Sequence, residues 1–313
     1  MMSPVETLSK LAVPAGDPEL NRAAQLLRSN QPQQALQILE TIAKRHGNNP
    51  DVLLLAGVAA YRSDQLRAAL DYCKQSLDLR PNPTLAQFYA TLQREAAGDK
   101  SGEKLYGNRV LVRYEGATLA ADVARTAVAM VDSEFTRISS QLGCPAEERL
   151  VVIVQSRDAY LKTTGAAEWS GGLYDGRIRI SLADGQSIGP LMRRELAHEI
   201  AHACLTNIPS GPSPWPAWLQ EGLAQKFSGE VLAPEARAEL RRLAEAHQIP
   251  KLEGLAQNWS RLNTGNARIA YSLALAAVDQ LFESYASTGI RNVLNNPDRL
   301  GQVTAELDKR LGL

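Results

Sequence analysis

The 313-residue chain carries 34 Lys and Arg against 34 Asp and Glu, and 44% of its residues are hydrophobic. That usage describes a soluble globular protein long enough for two buried cores, and the charge balance supplies no global field to draw nucleic acid or an anionic membrane. Three widely spaced cysteines, Cys73, Cys144 and Cys204, form no Cys-x-x-Cys pair, which argues against a disulfide framework or a thiolate zinc site and predicts small buried residues.

Residues 1–16 read as an N-terminal tail without the basic start and apolar stretch of a secretory signal. No run approaches the ~18 apolar residues of a membrane span. A cytoplasmic chain is the default expectation, a periplasmic or exported one if the chain is a processed form. Residues 17–98 repeat themselves. An offset of 34 sets Ser29-Asn30-Gln31 on Ser63-Asp64-Gln65, Ala35-Leu36 on Ala69-Leu70 and Leu39 on Cys73, the period of a helix-turn-helix repeat. Leu53, Gly57 and Ala60, then Ala69, Cys73 and Leu77, fall at helical spacing, with Gly57 small enough for a close helix pair and Pro81 ending the second helix. The stretch resembles tetratricopeptide repeats: Gly57, Ala69 and Pro81 occupy the small, small and proline positions, and Ala23, Ala35 and Gly47 stand there in a weaker first unit. Thr84 to Ala97 is expected as a further helix covering the open end of the stack.

Residues 99–107 are polar and glycine-rich and read as a linker. Beyond them, Arg109 to Tyr114 alternates as a strand, Ala117 to Leu142 has helical periodicity, Leu150 to Val154 is a β-branched run and Arg177 to Leu182 alternates again. After Asp184 the pattern is helical, broken at Asn207 to Pro216 and around Lys251 to Asn266. Strands followed by helices predict an α+β domain over 108–313.

The helix with Pro190 in its first turn carries His198, Glu199 and His202. Histidines four apart share one helix face and can reach one ion, and the neighbouring positions Leu196, Ala197, Ile200 and Ala201 are apolar, a costly setting for unpartnered polar groups. His46 and His247 stand in charged surroundings and are expected to be exposed. After a Pro-rich turn (Pro209, Pro212, Pro214, Pro216) comes AWLQEGLAQKF, a helix on which Glu221 is the only acid.

This combination resembles the gluzincin metallopeptidases, with Trp218, Glu221, Gly222 and Ala224 matching their Trp-x-x-Glu-Gly-x-Ala wording. A metzincin would need Gly and His where Leu205 and Ile208 stand. The resemblance implies a zinc ion held by His198, His202 and Glu221, Glu199 as the base that activates the bound water, and a thermolysin- or zincin-like domain with a small mixed sheet and a mainly helical C-terminal part. Tyr271 is the candidate oxyanion donor, or else a core tyrosine; Arg268 is a second choice. Gln225 stands where thermolysin-like members have an aspartate that orients the first histidine; an amide could accept the same bond. The stretch GGLYDGRIRISL is an edge strand that could hold substrate by strand addition, or one whose Arg177 and Arg179 blunt aggregation. Its Gly172-Leu173-Tyr174-Asp175-Gly176 departs from the aminopeptidases' Gly-x-Met-Glu-Asn, which favours an endopeptidase. The implied function is zinc-dependent peptide-bond hydrolysis on a peptide or protein substrate, with the repeats binding a protein partner. The alternative is a peptide-binding adaptor with a retired hydrolase domain.

Overall fold

The computed structural model describes residues 7–8, 17–46, 49–99, 102–116, 119–144, 149–166, 168, 170–182, 188–208, 214–255, 259 and 262–313. Nearly all of the expected tail, together with Gly47, Pro209 and Pro212, lies outside the described residues. The chain divides into two units: Met2–Ser133 with Pro145–Glu195, and Glu134–Cys144 with Leu196–Leu313.

The first unit opens with five helices, α1 (Pro18–Arg28), α2 (Pro32–His46), α3 (Pro50–Arg62), α4 (Leu66–Leu79) and α5 (Pro83–Gly98). The starts of α1, α3 and α5 share one chemistry. Asp17, Asn49 and Asn82 each accept hydrogen bonds from first-turn amides, and a proline that needs no donor follows each cap. The tight turns after α1 and α3 place Asn30 (φ 57°) and Asp64 (φ 60°) in the left-handed region, one 34-residue period apart. Asn and Asp tolerate that conformation better than other side chains, so the repeat seen in sequence is also a repeat of backbone strain. Gly57 is needed where α3 meets α4: a Cβ there would lie 2.5 Å from Cys73 Sγ. Leu20, Leu27, Leu39, Leu54, Leu85 and Phe88 fill the core between the helices.

A five-stranded mixed sheet follows, in the order β1 (Glu103–Tyr106), β2 (Val110–Tyr114), β3 (Leu150–Ser156), β5 (Ile178–Leu182), β4 (Gly172–Tyr174). The outer pairs are antiparallel and the inner two parallel. Helix α6 (Ala121–Leu142) connects β2 to β3, and α7 (Arg157–Thr164) follows β3. Strand β1 lies inside the stretch read as a linker; its mostly exposed residues carry no alternation, and pairing with β2 supplies what local pattern does not.

One expectation is overturned here. The stretch GGLYDGRIRISL is two strands: β4 forms the rim as expected of an edge, but β5, which bears Arg179 and directly follows Arg177, is flanked by β3 and β4. Arg177 and Arg179 are buried beneath the helical repeats. Arg179 Nη2 lies 2.5 Å from Glu95 Oε2, and Arg177 pairs with the same carboxylate while its guanidinium sits 3.9 Å over the Tyr61 ring. Asp64 binds Arg113 at 2.5 Å, Lys104 at 2.7 Å and Arg177 at 3.2 Å. Helix α5, expected as a cap, therefore turns Glu95 inward and ties the repeats to the sheet.

The second unit is helical: the end of α6, the part of α8 (Pro190–Asn207) from Leu196 on, α9 (Ala217–Ser228), α10 (Pro234–Glu245), α11 (Thr264–Asn295) and α12 (Leu300–Leu311). Trp218, Leu219, Leu223, Ala274 and Val278 are buried where α9 lies on α11. Gly222 sets that distance, since a Cβ would meet the Ala274 carbonyl oxygen at 2.5 Å. Helix α11 breaks at Ala286 (φ 49°), an unanticipated interruption. Cys144 and Cys204 form a disulfide, contrary to the expectation of unpaired cysteines; 60 residues apart, they bear no spacing signature. Cys73 alone is free and buried, and burial pushes its thiol up to about 12.

Candidate metal centre

Helix α8 is fixed by its apolar side chains: Leu196, Ala197, Ile200 and Ala201 are all at most 2% exposed. Its C-terminal end is capped by Trp215, whose Nε1 donates to the carbonyls of Leu205 and Ile208 at 3.1 and 3.2 Å. With the helix so held, His198 and His202 project from one face, their ring centroids 4.9 Å apart and their Nε2 atoms 3.2 Å apart. Helix α9 brings Glu221 to the same point. Its Oε2 lies 3.9 Å from His198 Nε2 and 3.7 Å from His202 Nε2, and one potential ligand atom from each residue falls within 4.8 Å of the others.

The spacing suits a shared ion. Two ligands about 2.1 Å from one centre at the tetrahedral angle sit about 3.4 Å apart, close to the three observed separations. Protonation suits it as well. Burial, reinforced at His198 by the neighbouring ring of His202, lowers both imidazoles to about 4, so both hold a free lone pair at neutral pH. Burial raises the Glu221 carboxyl above its ordinary value, the mark of a carboxylate held away from water.

Glu199 is 6% exposed and directly follows the first histidine. Tyr271 opens the buried stretch of α11, edge-on to Trp259 at 4.9 Å. Burial raises its phenol, as do the carboxylates of Glu221, Glu230 and Glu199, which keeps the O–H protonated at neutral pH.

Other candidates fall elsewhere. Arg268 is exposed and paired with Glu239 at 2.8 Å, and His247 is exposed as expected. The side chain of His46 is outside the described residues. Gln225 does not make the bond anticipated for it: its Nε2 donates to Glu230 Oε2 at 2.9 Å, and its buried Oε1 accepts nothing. Glu230 was not anticipated, because it lies beyond the helix end, where no periodicity marks it.

Residues 26–92 match the tetratricopeptide repeat family. The repeats point to protein partners. No curated protein matches the chain. Among the described residues no helix is long and apolar enough to cross a membrane.

Proposed function

We propose that the second unit is a zinc-dependent metallopeptidase of the gluzincin type, an endopeptidase, served by tetratricopeptide repeats that bind protein. The observation that carries this reading is the convergence of His198, His202 and Glu221 donor atoms within 4.8 Å, with Glu199 on the same helix. His198, His202 and Glu221 would hold the ion, leaving a fourth position open. Such an ion, when bound, lowers the pKa of water toward 7 and polarises a carbonyl. Glu199 Oε takes the proton of the attacking water and passes it to the leaving amine nitrogen. The Tyr271 O–H, kept protonated by its surroundings, donates to the developing oxyanion.

The test joins metal analysis to a single substitution. Purified protein is expected to hold one zinc per chain, and Glu199→Gln to retain the zinc while cleaving a proteome-derived peptide library at least ~100-fold more slowly. A chain without stoichiometric zinc, or a variant as fast as the parent, ends the proposal. The family match over 26–92 favours a second reading, an adaptor with a retired hydrolase unit, which the same library would reveal as binding without new termini. The Cys144–Cys204 bridge supports an oxidising compartment rather than the cytoplasm.

A further inference from the structure

The first unit holds a cavity of about 380 Å³ that the proposed reaction does not use. Its walls come from the start of α2, the end of α3 and the turn after it, and from β1, β2 and β3 of the sheet. Four of its lining residues are cations, Arg62, Lys104, Arg109 and Arg149, against one carboxylate, Asp64. Asp64 pairs with the lining cation Lys104 and is shared with Arg113 and Arg177, so the described lining stays net positive. Arg149 is exposed, lies 5.6 Å over the ring of Tyr106, and forms no ion pair among the described residues. Tyr106 itself is 64% exposed, an unusual amount of aromatic surface to leave in water. Beneath these groups lie buried Leu111 and Val151, and Ser63 Oγ, also in the lining, is buried without a hydrogen-bond partner.

We propose that this cavity receives an acidic segment of a protein partner, a carboxylate pairing with Arg149 and a neighbouring apolar side chain lying against Leu111 and Val151. Charge complementarity and the apolar floor select the chemistry. A bare anion would leave the floor and the Tyr106 face uncovered, whereas a side chain of Leu size fills them. Nucleic acid fits less well, because it needs a basic track along a phosphate backbone, and a chain with 34 cations against 34 anions supplies no global field for one. The wall of tetratricopeptide repeats agrees with a protein ligand.

The test uses the full chain in EDTA, so that hydrolysis by the proposed zinc site does not intervene. A short fluorescein-labelled peptide rich in Asp, Glu and Leu is titrated by anisotropy beside its Asn/Gln counterpart, inorganic phosphate as competitor, and a single-stranded DNA of mixed sequence. The acidic peptide is expected to bind in the micromolar range and the neutral one at least tenfold more weakly, with phosphate competing only at millimolar levels. Arg149→Glu is expected to weaken the acidic peptide by tenfold or more, and Tyr106→Ala by a few fold. Arg237→Glu, reversing an exposed cation of the other unit, is expected to change nothing. Circular dichroism of each variant confirms that the fold is kept. Equal binding of both peptides, insensitivity to Arg149→Glu, an equal loss with Arg237→Glu, or Arg149-dependent binding of DNA alone would overturn the proposal. Its failure leaves the zinc content and the Glu199→Gln comparison untouched, so the two readings stand or fall separately.

Discussion

Each unit buries a cluster of charged and titratable side chains, and the two are built on opposite principles. In the first, cations and anions alternate: Glu95 lies between Arg177 and Arg179, and Asp64 between Arg113, Arg177 and Lys104. Glu95 has two cationic partners and Asp64 three, all from the protein itself. In the second, two imidazoles stripped of their protons by burial face Glu221, and the phenol of Tyr271 feels three carboxylates. The first cluster sets charge against charge, although among the described residues Arg177 Nε, Arg179 Nη1 and Asp175 Oδ1 are buried without a hydrogen-bond partner. The second gathers unprotonated imidazoles and carboxylates around one point, and perturbed groups of that kind are candidates for a functional site. Burial alone therefore does not distinguish structure from chemistry; the sign of the neighbours does.

The difference can be broken from either side. The largest effect is expected from Glu95→Ala, which leaves two buried guanidinium groups without their shared carboxylate and should cost ~3–5 kcal/mol in urea unfolding. Replacing Glu95, Arg177 and Arg179 together by Leu, Met and Met should recover most of that loss, because the penalty lies in the orphaned charge rather than in the absent bond. A loss below ~1 kcal/mol for the single variant would mean that water reaches the cluster. Next in size is the Cys144–Cys204 bridge of the second unit. Closing 60 residues, it is expected to contribute roughly 2–4 kcal/mol, measured as the drop in unfolding midpoint on reduction or in Cys144→Ser with Cys204→Ser. Unchanged midpoints would show that the helices hold α8 in place without it.

Glu221→Gln makes the sharpest contrast with Glu95→Ala. The same loss of a buried carboxylate, made in EDTA, is expected to leave stability unchanged or raise it by up to ~2 kcal/mol, since burial disfavours its charged form. A fall comparable to that of Glu95→Ala would erase the distinction between the clusters.

How much of this was legible in sequence follows from the range of each signal. The 34-residue period, the Gly57 approach and the pairing of His198 with His202 are local, written within one or two helices. Glu221 was reachable because a resemblance in wording carried across the turn. The strands of the parallel core were visible as one β-branched run and two alternating ones, but β1 and β4, four and three residues long, owe their existence to partners elsewhere in the chain. Arg177 and Arg179 were misplaced for the same reason. An alternating strand with two arginines looks like a guarded edge until Glu95, 82 residues away from Arg177, is seen to meet it. The disulfide, 60 residues long, and the cavity lined by Arg62, Lys104, Arg109 and Arg149 are likewise products of topology.

The smallest effect concerns pH and isolates one member of the first cluster. Burial by itself would raise the Asp64 carboxyl, but Arg113, Arg177 and Lys104 outweigh it and hold the group below its ordinary value. A carboxyl with a depressed folded-state pKa stabilises the protein fully above its unfolded pKa, about 3.9, and that contribution fades as pH falls toward the folded value. Asp64 therefore adds no slope to the urea midpoint between pH 7 and 5 and a decline below about pH 4. Asp64→Asn should be less stable than the parent at neutral pH, and its acid decline shallower, so that the two profiles converge as Asp64 takes up its proton. Parallel profiles, offset by a constant amount, would show that the guanidinium groups around Asp64 do not sense its charge and that the cluster is held by packing instead.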